Sequence, residues 1–397
     1  MQRYDSYKPS GVKWLGEIPS HWEVCRFKNL MSLVTTPSND SNKIGLENIE
    51  SGSGKFIQTE NEFEGNGVHF QVNDVVYGKL RPYLQKVWLA TFSGNAVGDF
   101  FIFRVNNKVV GKYLQYLMLS RCFTDDVNAS TYGAKMPRVS SEYILTMRCA
   151  VPSIDEQIKM VSYLDTATAK IDAAIAQQQK MIDLLNERKQ IIINRAVTKG
   201  LNPNAKMKDS GVEWIGEVPE GWEMRKLKHL GSIKSGDGIK NEELLEYGKY
   251  PVWGGNGLMG YTDKYNKDKN AIVIGRVGAL CGNVRYLSTP TFVTDNALIF
   301  DITEKVNHLF LLYTMQAANL NSLNSSNAQP LITGTKVKNV VIPFPDIEEQ
   351  TRITIFIKKQ CENIDEAIVN YQQQISLLQE RKQIIINEVV TGKVKVI

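Results

Sequence analysis

The sequence predicts a mixed α/β protein built twice, with two globular segments separated by two long antiparallel coiled-coil helices in a pseudo-twofold arrangement. Three observations predict it. Ser10–Leu30 (SGVKWLGEIPSHWEVCRFKNL) returns 200 residues later as Ser210–Leu230 (SGVEWIGEVPEGWEMRKLKHL), identical at 11 of 21 positions. Pro152–Thr198 returns without gaps as Pro345–Thr391, a shift of 193. Between each repeated start and repeated end lie more than a hundred residues whose two copies look little alike. A kept frame with varied inserts presents two different surfaces in one geometry.

The repeats mark four parts: 1–151, 152–199, 200–344 and 345–397. In the globular parts, Val72–Tyr77, Phe100–Val105, Ala271–Ile274 and Ala297–Ile302 are short apolar or alternating runs bounded by Gly, Asn and Asp, as strands are. Lys112–Arg121 and His308–Ala318 have helical apolar spacing. Each repeated end opens with a helix-start signal, Ser153 with Glu156 and Asp346 with Glu349. There the cap oxygen accepts a backbone N–H and the glutamate reaches back.

The helices that follow keep alternating four–three spacing. In the first the series is Ile171, Ile175, Gln178, Ile182, Leu185, Lys189, Ile192 and Ala196. In the second it is Ile364, Ile368, Tyr371, Ile375, Leu378, Lys382, Ile385 and Val389. This is a coiled-coil seam, and two copies in one chain can bury it on each other. Antiparallel packing of helices about 50 Å long would set the globular parts at opposite ends. Lys189 and Lys382 interrupt both seams at matching places, either as register devices or with stems packed and ammonium groups reaching water. The linker Val197–Gly211 leaves the first helix through Gly200 and Asn-Pro-Asn.

A chain of 397 residues with 43% hydrophobic content supports two cores. Five scattered cysteines without C-x-x-C, and four dispersed histidines, argue against a disulfide scaffold or a metal site. The polar N-terminus shows no signal peptide, and no apolar run is long enough to span a membrane, so a reducing, cytoplasmic setting is expected. The net charge of +5 divides as +3, +1, +2 and −1 over residues 1–150, 151–200, 201–343 and 344–397. This permits a polyanion partner without demanding one.

No catalytic site emerges, and none is expected. Gly255–Gly260 matches G-x-G-x-x-G, but Tyr-Thr-Asp-Lys-Tyr follows where a helix should start. Gly54-Lys55 lacks the spacing of a phosphate-binding loop. Glu187-Arg-Lys189 and Glu380-Arg-Lys382 imitate a nuclease E-x-K, yet both lie mid-helix, where a solvated face explains them. There is no Asn-Pro-Pro-Tyr-type tetrapeptide of an amino-methyltransferase.

The chain reads instead as a binder. For DNA, Arg and Lys suit phosphates and guanine, Asn and Gln suit adenine, and Gly lets backbone approach closely. Two stretches supply these types: Gly78–Lys86, with Lys79, Arg81, Tyr83 and Lys86, and Trp253–Gly257 with Gly275–Gly278, giving Gly255, Asn256 and Arg276. Polar loops near each segment's end add Tyr132, Lys135 and Arg138, then Ser326, Asn327 and Gln329. Pro137 and Pro330 share the 193 shift, so these loops occupy matching places. Each residue alone reads more readily as part of an ordinary surface turn, and it is the paired placement that favours the loops as a set.

Taken together, the motifs resemble the specificity subunit of type I restriction–modification systems. The resemblance rests on SGVKWLGEIPSHWE and SGVEWIGEVPEGWE, PSIDEQ and PDIEEQ, LLNERKQIIIN and LLQERKQIIIN, VTKGLNPN, GKLRPYLQK, YPVWGGNG and VTGKVKV, and it covers nearly the whole chain. It implies two target-recognition domains, each reading half of an asymmetric bipartite DNA site, with the helices setting the spacer. It implies that the helices, through Ile171, Ile182, Leu185, Ile364, Ile375 and Leu378, serve the docking of two modification (methyltransferase) subunits. Those subunits would carry S-adenosylmethionine. Restriction subunits using ATP and magnesium would join them in defence against phage, and this chain would hold no cofactor or metal. The residues alone also leave open a DNA-binding adaptor for another defence enzyme, or a non-DNA scaffold with two protein-binding domains.

Overall fold

A computed structural model describes residues 2–133, 135–278, 280–324 and 330–396. The chain divides into two compact units, Met1–Gln179 with Gln372–Ile397, and Lys180–Tyr371. Each unit takes one globular segment and a part of both long helices, Ile154–Lys199 (α1) and Ile347–Val390 (α2).

The first unit is built on a four-stranded antiparallel sheet in the order Met31–Val34, Phe100–Val105, Val75–Gly78, Val87–Leu89. Its central strand, FFIFRV, is aromatic and β-branched, and Ile102 lies opposite both Val34 and Val76. The strand expected at Val72–Tyr77 begins at Val75 instead. Asn73 takes a left-handed φ of 70°, and the Asp74 carboxylate accepts the Gln71 N–H and a two-pronged bond from Arg104 at 3.0 and 2.9 Å. That turn uses residues the alternation would give to the strand. A smaller sheet of short strands around Gly67–Phe70 covers one face, with Phe70, Trp88 and Ile102 in the core between. The helix Gly111–Leu119 covers the other, burying Tyr113, Leu114 and Leu117.

The second unit repeats the sheet in the same order with Gly231–Ser235, Ala297–Ile302, Ala271–Gly275 and Val284–Leu287. The helix His308–Ala317 takes the equivalent place, buried at Phe310, Leu311 and Met315. Equivalence holds bond by bond. Val110 N–H donates to Gln157 Oε1 at 2.7 Å, and Asn307 N–H donates to Gln350 Oε1 at 2.9 Å.

Within the first unit, Ile171 and Ile175 of α1 share a core with Leu378, Ile385 and Val389 of α2. Within the second, Ile193, Ala196 and Val197 meet Ile353, Ile357 and Cys361. Gln178 pairs with Gln374 and Asp172 with Lys382, so residue numbers rise on one helix as they fall on the other. The helix segments therefore run antiparallel. Both lysines that interrupt the seam are ion-paired across it: Lys189 to Asp365 and Lys382 to Asp172, each at 2.7 Å.

The helix starts differ from the expected box in one respect. Ser153 Oγ and Asp346 Oδ1 do accept the N–H of Glu156 and Glu349, at 3.3 and 2.8 Å. The glutamates do not reach back. Glu156 accepts from Tyr4 Oη at 2.5 Å and Trp22 Nε1 at 3.1 Å, and Glu349 pairs with Arg352 at 2.6 Å. Stronger donors from the duplicated Trp motif and from the next helical turn outcompete a single N–H. The same Trp motif closes on the helix ends. Gly200 and Gly392 terminate α1 and α2 with φ near 70°, and a Cβ on either would meet Trp222 or Trp22 within 3.1 Å. The repeated Trp and the repeated Gly are thus two sides of one contact.

Candidate nucleic-acid interface

In the first unit, two loops lie side by side at one edge of the main sheet. The loop Gly78–Lys86 leaves the strand Val75–Gly78, and the hairpin around Tyr132–Arg138 returns against it. Arg81 N–H donates to Pro137 O at 2.8 Å, Val139 N–H donates to Lys79 O at 3.2 Å, and Leu80 bridges Arg138. In the second unit the frame recurs. Gly278 N–H donates to Pro330 O at 3.1 Å, Ile332 N–H donates to Arg276 O at 2.9 Å, and Val277 bridges Leu331. The loop closures match as well: Gly78 N–H to Lys86 O and Gly275 N–H to Asn283 O, at 2.8 and 2.9 Å. Position for position, Lys79 corresponds to Arg276, Arg81 to Gly278 and Gln85 to Gly282. Even the backbone agrees, because Arg81 and Gln85 hold φ of 51° and 50° where the other unit places glycines. Non-glycine residues in left-handed conformations are uncommon and cluster at functional sites.

The side chains on this frame differ between units. In the first, Arg81, Tyr83, Tyr132 and Lys135 are exposed. Lys79 and Arg138 converge on Asp99, at 3.6 and 3.0 Å, so one carboxylate orients two cations. Lys86 points inward. Its ammonium donates to Leu46 O at 2.7 Å and Ile49 O at 2.8 Å, and burial lowers its pKa. It clamps a neighbouring loop, and the sequence reading of Lys86 as a DNA-facing cation is corrected accordingly. Its signal was hidden because a lysine beside two other basic residues looks the same whether it faces solvent or carbonyls.

In the second unit, Gly255 and Asn256 form the turn of the hairpin Tyr250–Gly254/Gly257–Thr262. This turn lies against the Arg276 loop. A Cβ on Gly255 would come within 2.5 Å of Asn296 O, and one on Gly275 within 2.4 Å of Gly255 O. Glycine permits that backbone-on-backbone contact, and Arg285 Nη2 donates to Asn256 O at 3.5 Å. Arg276 Nη1 donates to Ser235 Oγ at 3.0 Å. Ser326, Asn327 and Gln329 lie outside the described residues. The sequence reading passed over an exposed group in this unit: Tyr247, Leu258, Met259 and Tyr265. Tyrosine is a type that stacks on bases, but the two tyrosines are dispersed in the sequence without a shared motif.

Of the six seam residues, Ile171 and Leu378 share the core between the helices. Ile171, Ile182 and Ile364 are buried, and Leu185, Ile375 and Leu378 are half-buried. Apolar side chains exposed on the helices include Met181, Leu184 and Ile191 on α1 and Val369, Leu377 and Ile384 on α2, with Ile154, Ile158, Ile355 and Phe356 nearer the helix starts.

One backbone frame carrying two side-chain sets, each on its own α/β unit, defines a duplicated recognition protein. Comparison with known proteins shows what it is similar to. Residues 219–376 match the family model "Type I restriction modification DNA specificity domain". The MjaVIII specificity subunit of Methanocaldococcus jannaschii is 23% identical across 96% of this chain and 94% of its own. The EcoprrI specificity subunit of Escherichia coli is 32% identical over 34% of this chain and 35% of its own. A solved chain, from work on complex assembly and conformational transition of the type I R-M system, shares the fold. It has a TM-score of 0.71 at 17% identity, over 95% of this chain and 99% of its own. The chain is thus similar along nearly its whole length to specificity subunits of type I restriction–modification systems. No helix among the described residues is long and apolar enough to cross a membrane.

Proposed function

We propose that this chain reads DNA sequence for a type I restriction–modification complex and performs no chemistry itself. Residues 1–151 and 200–344 act as target-recognition domains, and each reads one half of an asymmetric bipartite site. The helices 152–199 and 345–397 fix the unspecified spacer and, through their outward apolar side chains, dock two modification subunits. S-adenosylmethionine would be bound by those subunits. ATP and magnesium would be bound by restriction subunits, in the cytoplasm of a bacterial or archaeal cell.

The observation that supports this reading best is the common hydrogen-bond frame of the Lys79–Lys86 and Arg276–Asn283 loops at their described residues. Equal frames with unequal side chains suit two equivalent placements on DNA with different base preferences. Arg81, Tyr83, Tyr132, Lys135, Asn256 and Arg276 are the proposed contacts, with Lys79 and Arg138 positioned by Asp99.

The test is an exchange of residues 24–150 for the same segment of a relative, with the modified DNA motif as readout. One altered half-site supports the assignment, and two altered half-sites overturn it.

A further inference from the structure

In the first unit, residues 27–147 enter and leave through one two-stranded ribbon, Glu23–Arg26 paired antiparallel with Arg148–Val151. Within it Cys25 stands directly opposite Cys149, and both thiols are free. Phe27 N–H donates to Met147 O at 3.0 Å. Hydrogen-bonded pairs recur at every second residue of such a ladder, so Cys25 and Cys149 form one of them. Partners of this kind have Cα atoms about 5.5 Å apart, inside the range a disulfide spans. Cys149 is buried, whereas Cys25 is partly exposed.

The two thiols are unequal. The Cys149 thiol donates to the Cys25 sulfur, which lowers the Cys25 pKa against burial and Glu23, and Lys108 lowers it further. The same bond, together with burial, pushes Cys149 well up. A reachable thiol held toward the thiolate, with a protonated thiol beside it, is the arrangement of an attacking and a resolving cysteine. In the second unit the same register pair is Arg225 and Ile342, and that ribbon carries no thiol.

We infer that Cys25 and Cys149 form an oxidation site, closed to a reversible disulfide by hydrogen peroxide. The Cys25 thiolate attacks one peroxide oxygen, the O–O bond breaks, and the departing hydroxide takes a proton to leave as water. Cys25 is then a sulfenic acid. The Cys149 sulfur attacks the Cys25 sulfur, the S–S bond forms, the S–O bond breaks, and the hydroxyl leaves with the Cys149 proton as a second water. The two thiols lose two electrons and the peroxide gains them. The bond closes the whole variable segment of the first unit into one covalent loop at its neck. Cβ atoms in such a pair stand about 5 Å apart and a disulfide draws them to about 4 Å, so the ribbon pinches and the bond is readily reduced. The site stands whether or not the chain reads DNA as proposed.

The experiment treats the full folded chain with hydrogen peroxide at a dose that fully oxidises free cysteine, then unfolds it in iodoacetamide and digests it with trypsin. The expected result is a loss of two of the five alkylatable thiols. The peptides Trp14–Arg26 and Cys149–Lys159 are then recovered as one species, two hydrogens lighter than their sum. Reduced glutathione restores all five thiols. Cys149→Ser removes the link and lets Cys25 pass on to sulfinic acid, whereas Cys25→Ser leaves Cys149 reduced. The wild-type chain alone decides the matter if either variant is unstable, through the same oxidation in urea, where the link is expected to form more slowly. Five thiols retained, Cys25 as sulfinic acid beside a free Cys149, a link from Cys149 to another cysteine, or an equal rate in urea overturns the inference.

Discussion

Lys382 Nζ lies 2.7 Å from Asp172 Oδ1 inside the helix seam, and Lys55 holds the other oxygen of the same carboxylate at 2.8 Å. Its counterpart under the 193-residue shift, Lys189 with Asp365, has the same 2.7 Å contact without a second cation among the described residues. The lysines that break both apolar seams therefore each have an acid on the facing helix, which fixes register as well as polarity. Lys382 is only 12% exposed, so its ammonium does not escape to water.

The two pairs should differ in worth. Asp172→Asn leaves two cations facing a neutral amide in a half-buried site and is expected to destabilise the chain by about 1–2 kcal/mol. Asp365→Asn removes a pair that is much more exposed, and its cost is expected to stay under about 1 kcal/mol. Chemical denaturation of both variants checks the order.

Acid should expose the same asymmetry. Burial alone would raise the Asp172 carboxyl, but the hydrogen bonds and charges of Lys382 and Lys55 outweigh it and hold the pKa below the ordinary value of 3.8. A depressed folded-state value means that the stabilisation is present in full above the unfolded pKa and is lost as pH falls through the folded one. The gap in stability between wild type and Asp172→Asn should thus be constant near neutrality and narrow below about pH 4. Thermal melts from pH 7 to pH 3 measure it.

Arg81 and Lys86 sit five residues apart, the first exposed and the second turned onto the carbonyls of Leu46 and Ile49. Arg81→Gly places glycine where the second unit has Gly278 at a φ of 81°, so stability should change by less than about 0.5 kcal/mol. DNA affinity should fall, with the salt slope reduced by about one. Lys86→Met leaves the carbonyls of Leu46 and Ile49 without their donor and should cost about 1–3 kcal/mol while the salt slope stays unchanged. Melting and salt-titrated DNA binding on each variant separate the two roles.

Gly255→Ala should lower stability by about 1–3 kcal/mol, because its Cβ meets the Asn296 carbonyl at 2.5 Å and backbone has to move. It should also weaken DNA binding in the presence of an intact Arg276. Binding measured below the melting transition distinguishes this from unfolding.

Much of this architecture was legible in the sequence because the repeat carries it. The strands Phe100–Val105 and Ala297–Ile302, the seam spacing and the paired loops at Pro137 and Pro330 follow from local patterns kept twice. What was not legible depended on contacts between residues distant in sequence. Glu156 was read from its cap spacing, but its partners Tyr4 and Trp22 lie more than a hundred residues away. Lys86 was read from its basic neighbours, but the carbonyls of Leu46 and Ile49 claim it. Lys55, dismissed as an incomplete phosphate loop, proves to be the third member of the Asp172 cluster. Local composition specifies elements, whereas the direction a charged side chain takes is settled by what the fold brings opposite it.

The central claim is that two equivalent frames read two different half-sites. Methylation mapping of the genome in cells expressing this chain with a type I modification subunit tests it most directly. The account predicts one asymmetric motif made of two short specified halves and an unspecified spacer of fixed length. A single uninterrupted motif, or two identical halves in inverted repeat, would contradict it.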